Sequence, residues 1–354
     1  MIKSKIYLYA FIAMAIASVA GGHFVRGLIP SVEEITSSQI AQKLLSKPST
    51  QNVSSRIWLP VTVNRIFSLA SGEAFILYSP TIVRVDNNSG VYVLDVSDMK
   101  VKEFSTSGAY MRSYGNGKGY GPGEFQNPTD FRVDKHGNVW VADAITGIVT
   151  VFDHRGLVVN TFRPEKTPFR IVVLRDNEYA IFSSGVGDLF DIYNGNRRLK
   201  GVGQIFSRNA DMSISLVGAS LTIAQDTMLC YAGNRWGVIA EFSVTGRRIF
   251  FVQTVDKIPL PNFEMTKVGE SKIARVASSA SWSALDITSY GSKLYLFTYA
   301  GSIGHKGTVI DVYSANDGSY EGSFEIPIKC RDFDVNGKFI YTVEDTTLTK
   351  WIVG

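Results

Sequence analysis

Residues 128–162 read PTDFRVDKHGNVWVADAITGIVTVFDHRGLVVNTF, and the stretch divides into four short strand-forming runs separated by tight turns. Residues alternate along each run, as they must when successive side chains point to opposite faces of a sheet. Asp134–Asn138 and Asp153–Gly156 carry turn chemistry: an Asx carboxylate bonds nearby backbone, and glycine accepts positive φ.

Working outward, the second of these runs recurs along the chain. It returns as Val91–Leu94, Val139–Val141, Tyr179–Phe182, Met228–Tyr231, Leu294–Phe297 and Phe339–Val343. The third recurs as well, ending near Phe104, Phe152, Ile192, Phe242, Tyr313 and Trp351. Most repeats lie roughly 40–50 residues apart, the period of a propeller blade. One interval is longer; the excess is residues 259–283, read as an extended outer strand plus an excursion on one face. The last unit stops at Gly354 after its third strand. Its fourth strand must come from between Ile57 and Leu77, around either Trp58–Val61 or Ala74–Leu77. The pattern predicts an all-β fold, a six-bladed β-propeller closed by an N-terminal strand and stabilised by blade-on-blade packing.

Residues 114–128, YGNGKGYGPGEFQNP, followed by the unit above, resemble an NHL repeat. The full chain resembles bacterial six-bladed propellers of the NHL-repeat/TolB-like type, closely over Tyr114–Phe162 and in pattern elsewhere. The resemblance implies a fold, not an activity, because this architecture hosts many functions. Enzymes of similar fold, such as sugar-acid lactonases, paraoxonase-like hydrolases and peptide-amidating lyases, place metal ligands at the channel mouth. The corresponding candidates are Asp130, Asp143, Arg170, Asp286, Arg331 and Asp332. Neither a lactonase-like ligand set nor a three-histidine set aligns, and arginines near one axis repel a cation. No catalytic residue, metal ligand or cofactor is therefore assigned. The glycine series Gly115–Gly123 lacks the Lys-Ser/Thr of a phosphate loop and reads as an inter-blade connection.

Lys3 and Lys5 precede an apolar run from Ile6 to Gly22. Residues 1–26 fit a membrane-spanning helix or a signal segment, and both place the rest of the chain outside the cytoplasm. Residues 27–55 read as a linker with a short helix, and 56–354 as the propeller. The expected location is the inner membrane, single-pass with the propeller on the periplasmic side, or the periplasm or exterior after cleavage.

With 36 basic and 32 acidic residues the net charge is only +4, too weak and dispersed for a nucleic-acid footprint. Cys230 and Cys330 fall in blades that are not neighbours and read as buried thiols. Asn234, Arg235 and Trp236 form the most binding-like cluster, with Trp58 and Trp282 as further anchors. The reading is of a non-enzymatic extracytoplasmic scaffold or accessory subunit. Its partners would be a membrane protein complex or another periplasmic protein, and the lipid bilayer through the N-terminal helix. An extra subunit on a bacterial photosynthetic reaction-centre complex is the architectural parallel. The alternative is a metal-dependent hydrolase or lyase acting on a small substrate in the funnel.

Overall fold

The computed structural model describes residues 32–69, 77–175, 177–182, 187–207, 219–224, 227–268, 271–299 and 307–354. The expected anchor or signal segment, residues 1–26, lies outside them. Among the described residues no helix is long and apolar enough to cross a membrane.

Six four-stranded antiparallel sheets form the ring. Blade 1 comprises Pro80–Val85, Val91–Asp95, Lys100–Phe104 and Tyr110–Tyr114; blade 2 comprises Pro128–Val133, Val139–Asp143, Ile148–Phe152 and Val158–Phe162. Blade 3 is Arg170–Arg175, Glu178–Phe182, Phe190–Asn194 and Arg197–Val202, and blade 4 is Ala219–Ala224, Met228–Gly233, Val238–Ser243 and Arg248–Gln253. Blade 5 is Ala284–Tyr290, Lys293–Thr298, Val309–Ser314 and Tyr320–Glu325. Blade 6 takes Asp332–Asn336, Phe339–Glu344 and Thr347–Val353 from the C-terminus. The first strands of neighbouring blades pack on one another around the axis.

The second strands are the most apolar because a blade stands on each side of them. All five residues of Val91–Asp95 and of Val139–Asp143 are buried, whereas the outer strand Tyr110–Tyr114 is largely solvated. Aromatic rings fill the inter-blade spaces. Trp140 and Phe162 of blade 2 stack at 5.5 Å, and Phe162 continues onto Tyr179 and then Tyr193 of blade 3, each at 5.6 Å.

The fourth strand of blade 6 is Val63–Leu69, running antiparallel from Val63 opposite Val353 to Leu69 opposite Leu348. It lies between the two segments nominated from the sequence. Trp58 belongs instead to an arm that straps the outside of the ring. Leu44 bridges Phe206 after blade 3, Ser49 runs parallel beside Val252 of blade 4, and Trp58 runs parallel beside Ser323 of blade 5. Between them Arg56 meets Asp311 at 2.9 Å and Asp256 at 2.5 Å. Closure is thus spread over several blades rather than confined to one sheet.

Ahead of the arm, Thr36 caps the short helix Ser37–Ala41 in a reciprocal box with Gln39, satisfying amides that a helix start leaves open. The long interval between blades 4 and 5 forms a hairpin, Phe263–Val268 with Ser271–Val276, extended to three strands by Val32–Ile35.

Candidate functional site

The axis is filled by charge. Arg84, on the first strand of blade 1, places Nη1 2.8 Å from Asp332 of blade 6 and Nη2 3.1 Å from Asp286 of blade 5 and 3.9 Å from Asp130 of blade 2. Arg132 of blade 2 pairs with Asp130 at 2.9 Å and reaches the Leu221 carbonyl of blade 4 at 2.7 Å. The second oxygen of Asp130 accepts from the Ile171 amide of blade 3 at 3.0 Å. Asp332 also accepts from Val83 N–H at 2.8 Å. Asp334 accepts from Val85 N–H at 2.8 Å and from the Thr288 hydroxyl. Every blade therefore contributes to one network.

The electrostatics follow from burial opposed by pairing. Burial works against a charge on Arg84, but Asp332, Asp286 and Asp130 outweigh it and hold the guanidinium firmly protonated. Burial pushes the Asp332 carboxyl well up, and nearby Asp286 adds to the rise. Burial also acts to raise Asp286, yet Arg84 and the bond to Asp332 carry it below its ordinary value. The pair is thus driven apart, Asp332 upward and Asp286 downward. Burial raises Asp334 and lowers Arg132.

Of the residues nominated for the funnel, Asp130, Asp286 and Asp332 do converge, but on a guanidinium. A metal ion there would have to displace Arg84, and its charge would be opposed by Arg132 as well. Among the described residues no group of three or more His, Cys, Asp or Glu side chains is arranged to hold a metal. Arg170 borders the cluster, donating to the Thr129 carbonyl at 2.5 Å. Arg331 does not join it: its guanidinium is half-exposed and faces Ser79, Pro80 and Asp345. Asp143 is likewise off the axis, at the end of a second strand. It accepts from the amides of Gln126, Asn127, Ile145 and Thr146 and so ties two loops together. Asp95 does the same in blade 1, accepting from Tyr78 and Ser79.

The sequence reading missed Arg84, Arg132 and Asp334. A signal for two of them exists: residues 80–86 and 128–134 share P-T-x-x-R-V-D, which puts both arginines at one position of their blades.

The nominated surface cluster separates into core and rim. Trp236 is a correction: only 3% of it is exposed, and it packs between Phe206 at 6.2 Å and Phe251 at 5.6 Å. Asn234 is an inter-blade tie, donating to Ser220 Oγ at 3.0 Å and to the Ala284 carbonyl at 2.9 Å. Arg235 faces outward. Its guanidinium carbon lies 3.4 Å from the Trp282 ring centroid, and Nη1 donates to the Ala280 carbonyl at 2.9 Å. Trp282 in turn meets Tyr299 at 6.4 Å. Trp282 and Tyr299 remain 42% and 38% exposed. Arg235 and Tyr299 follow second strands and Trp282 leads into a first strand, so all three lie at the same end of the ring. Trp58 is also exposed, but on the outer wall beside Ser323.

A family described as a 6-bladed beta-propeller, DUF5128, matches residues 65–195. No curated protein matches the chain. Among solved structures, the chain is similar to a member of the DUF4221 family from Bacteroides vulgatus, with a TM-score of 0.58 and 10% identity over 85% of this chain and 99% of that one. It is also similar to virginiamycin B lyase from Staphylococcus aureus, with a TM-score of 0.51 and 11% identity over 82% and 99%. At these identities the likeness is one of fold, and it agrees with the six sheets described above.

Proposed function

We propose that this propeller is a non-catalytic scaffold carried outside the cytoplasm, docking a partner protein of a membrane complex through the Arg235–Trp282–Tyr299 rim. The observation that carries the reading is the contrast between a spent axis and an unspent rim. The axial carboxylates face Arg84 and Arg132 or accept from backbone amides, so a cation or substrate entering the axis meets guanidinium groups. The rim holds a half-exposed tryptophan stacked on an arginine and flanked by a tyrosine, the three residue types that most often anchor protein interfaces. The Asn234 bonds and the Arg235–Ala280 bond hold the rim rigid before any partner arrives, which reduces the ordering cost of association.

Lys3, Lys5 and the apolar run after them support a membrane-tethered, periplasm-facing position, as in an accessory subunit of the reaction-centre kind. Metal-dependent hydrolysis or elimination in the funnel would need a cation where Arg84 sits, and nothing in the geometry favours it.

The test is capture of partners by the full-length tagged chain after gentle detergent extraction. A specific partner is expected with the native protein and with Leu157→Ala, an exposed change at the opposite end of the ring. A loss of about thirtyfold is expected with Trp282→Ala, the size of a hot-spot effect of about 2 kcal/mol. A chain that stays monomeric and is released by salt, or capture unchanged by Trp282→Ala, would overturn the proposal.

A further inference from the structure

We infer that the cleft between blades 5 and 6 is a binding site for a medium-chain aliphatic carboxylate. The cleft has a volume of about 240 Å³ and is walled by Tyr295, Val312 and Phe324 of blade 5 and by Val335 and Ile340 of blade 6. Leu59 and Val61 of the arm close its outer side, so the strap builds one wall of the site as it passes toward the closing strand. Val312, Phe324, Val335 and Ile340 are buried core residues, and the interior they line is apolar.

The rim is cationic. Lys293 and Lys338 both border the cleft. Lys293 is paired with Glu321 at 3.0 Å, an exposed pair. Lys338 has no carboxylate partner among the described residues; its ammonium lies 5.8 Å from the Phe339 ring centroid. A half-open cleft with apolar walls and a lysine without a carboxylate partner on its border complements an amphiphile with a short tail and an anionic head. Lys338 would take the carboxylate, with Lys293 within the same field.

Size sets the tail. At about 30 Å³ per water-sized group, a chamber of about 240 Å³ holds about eight heavy atoms. It is below the roughly 300–1,000 Å³ of sites that enclose drug-sized ligands. An eight-carbon chain fits; a fused ring system does not. Each methylene buried strengthens binding about fourfold. Affinity is therefore expected to climb about fourfold per carbon from butanoate to octanoate, then level off as further carbons extend into water.

The experiment titrates the full chain, washed free of amphiphile, with butanoate, hexanoate, octanoate and dodecanoate by calorimetry, and with octyltrimethylammonium as the cationic counterpart. Val312→Trp fills the chamber and serves as the baseline, so uptake by apolar surface elsewhere cancels. The expected result is saturable octanoate binding that falls at least tenfold in Val312→Trp and in Lys338→Glu, with octyltrimethylammonium gaining affinity in Lys338→Glu. Lys338 is solvent-exposed, so that variant keeps the test intact if Val312→Trp fails to fold. Octanoate binding that survives Lys338→Glu unchanged, affinity independent of chain length, or no saturable binding would each overturn the inference.

Discussion

Replacing Arg84 with alanine removes the one cation that joins blades 1, 2, 5 and 6 at the axis. The loss can be sized from its three partners. Asp130 keeps Arg132 at 2.9 Å, so it is not stranded. Asp286 and Asp332 lose contacts of 3.1 and 2.8 Å and stay buried without their guanidinium. Breaking a buried ion pair by removing one partner costs about 3–5 kcal/mol, and about 4 kcal/mol is the expected loss here. At about 2–4 °C per kcal/mol for domains of 150–250 residues, and at the low end of that range for a larger ring, the melting temperature should fall by about 8–10 °C. The effect has a pH signature. Without the guanidinium, burial raises both carboxyls above their unfolded values. Stability in the variant is then present at low pH and lost as pH rises through those raised values. The gap between native and variant proteins should be widest near pH 7 and narrow toward pH 4. Thermal unfolding followed by circular dichroism at pH 4, 5.5 and 7 reads both quantities. Arg84→Lys retains charge without the two-pronged geometry and should lose about half as much. A deficit under about 1 kcal/mol at pH 7, or one that grows on acidification, would refute the structural role assigned to the axial network.

Other expectations concern the blades and the strap. Burial lifts the Glu241 carboxyl from 4.5 to about 6, opposite the Cys230 thiol at 2.9 Å. The wild-type ring should lose about 2 kcal/mol of stability as pH rises from about 4.5 through 6; Glu241→Gln should erase that slope in pH-dependent melts. Arg56→Ala leaves buried Asp311 without its cation, which should cost about 3–5 kcal/mol and speed amide exchange first in blades 4 and 5. Trp282→Ala lies on the rim and should shift stability by no more than about 0.5–1 kcal/mol, the size of an exposed cation–π contact, so that loss of partner capture is separable from unfolding by a melt.

The ring itself was legible because its signal is repeated. Each second strand read from the sequence is a second strand in the fold, since a strand with a blade on each side must be apolar throughout. The closing strand was placed to the right region but not to the right residues. Val63–Leu69 contains Asn64, Arg65 and Ser68, and an outer strand packed on one side only carries a weaker pattern than the flanking apolar stretches. The axial site was half-legible. Charged residues at first-strand starts were noticed, but a strand places alternate residues on opposite faces, so Asp332 reaches the axis and its neighbour Arg331 does not. Arg84 and Arg132 sit later in their strands and become visible when the two P-T-x-x-R-V-D stretches are aligned. Adjacent residues diverged in the same way at the rim: Trp236 turns under Phe206 and Arg235 turns out, a choice made by inter-blade packing rather than by composition.

The account rests on the axis being closed by arginine, so that recognition belongs to the outside of the ring. Titrating the purified full-length protein with Mn²⁺ and following the free ion by electron paramagnetic resonance tests this directly. The expected result is no stoichiometric binding attributable to the axis, with the native protein and Asp286→Asn giving the same curve; a tight one-to-one site abolished by Asp286→Asn would show that the carboxylates serve a metal and would contradict the account.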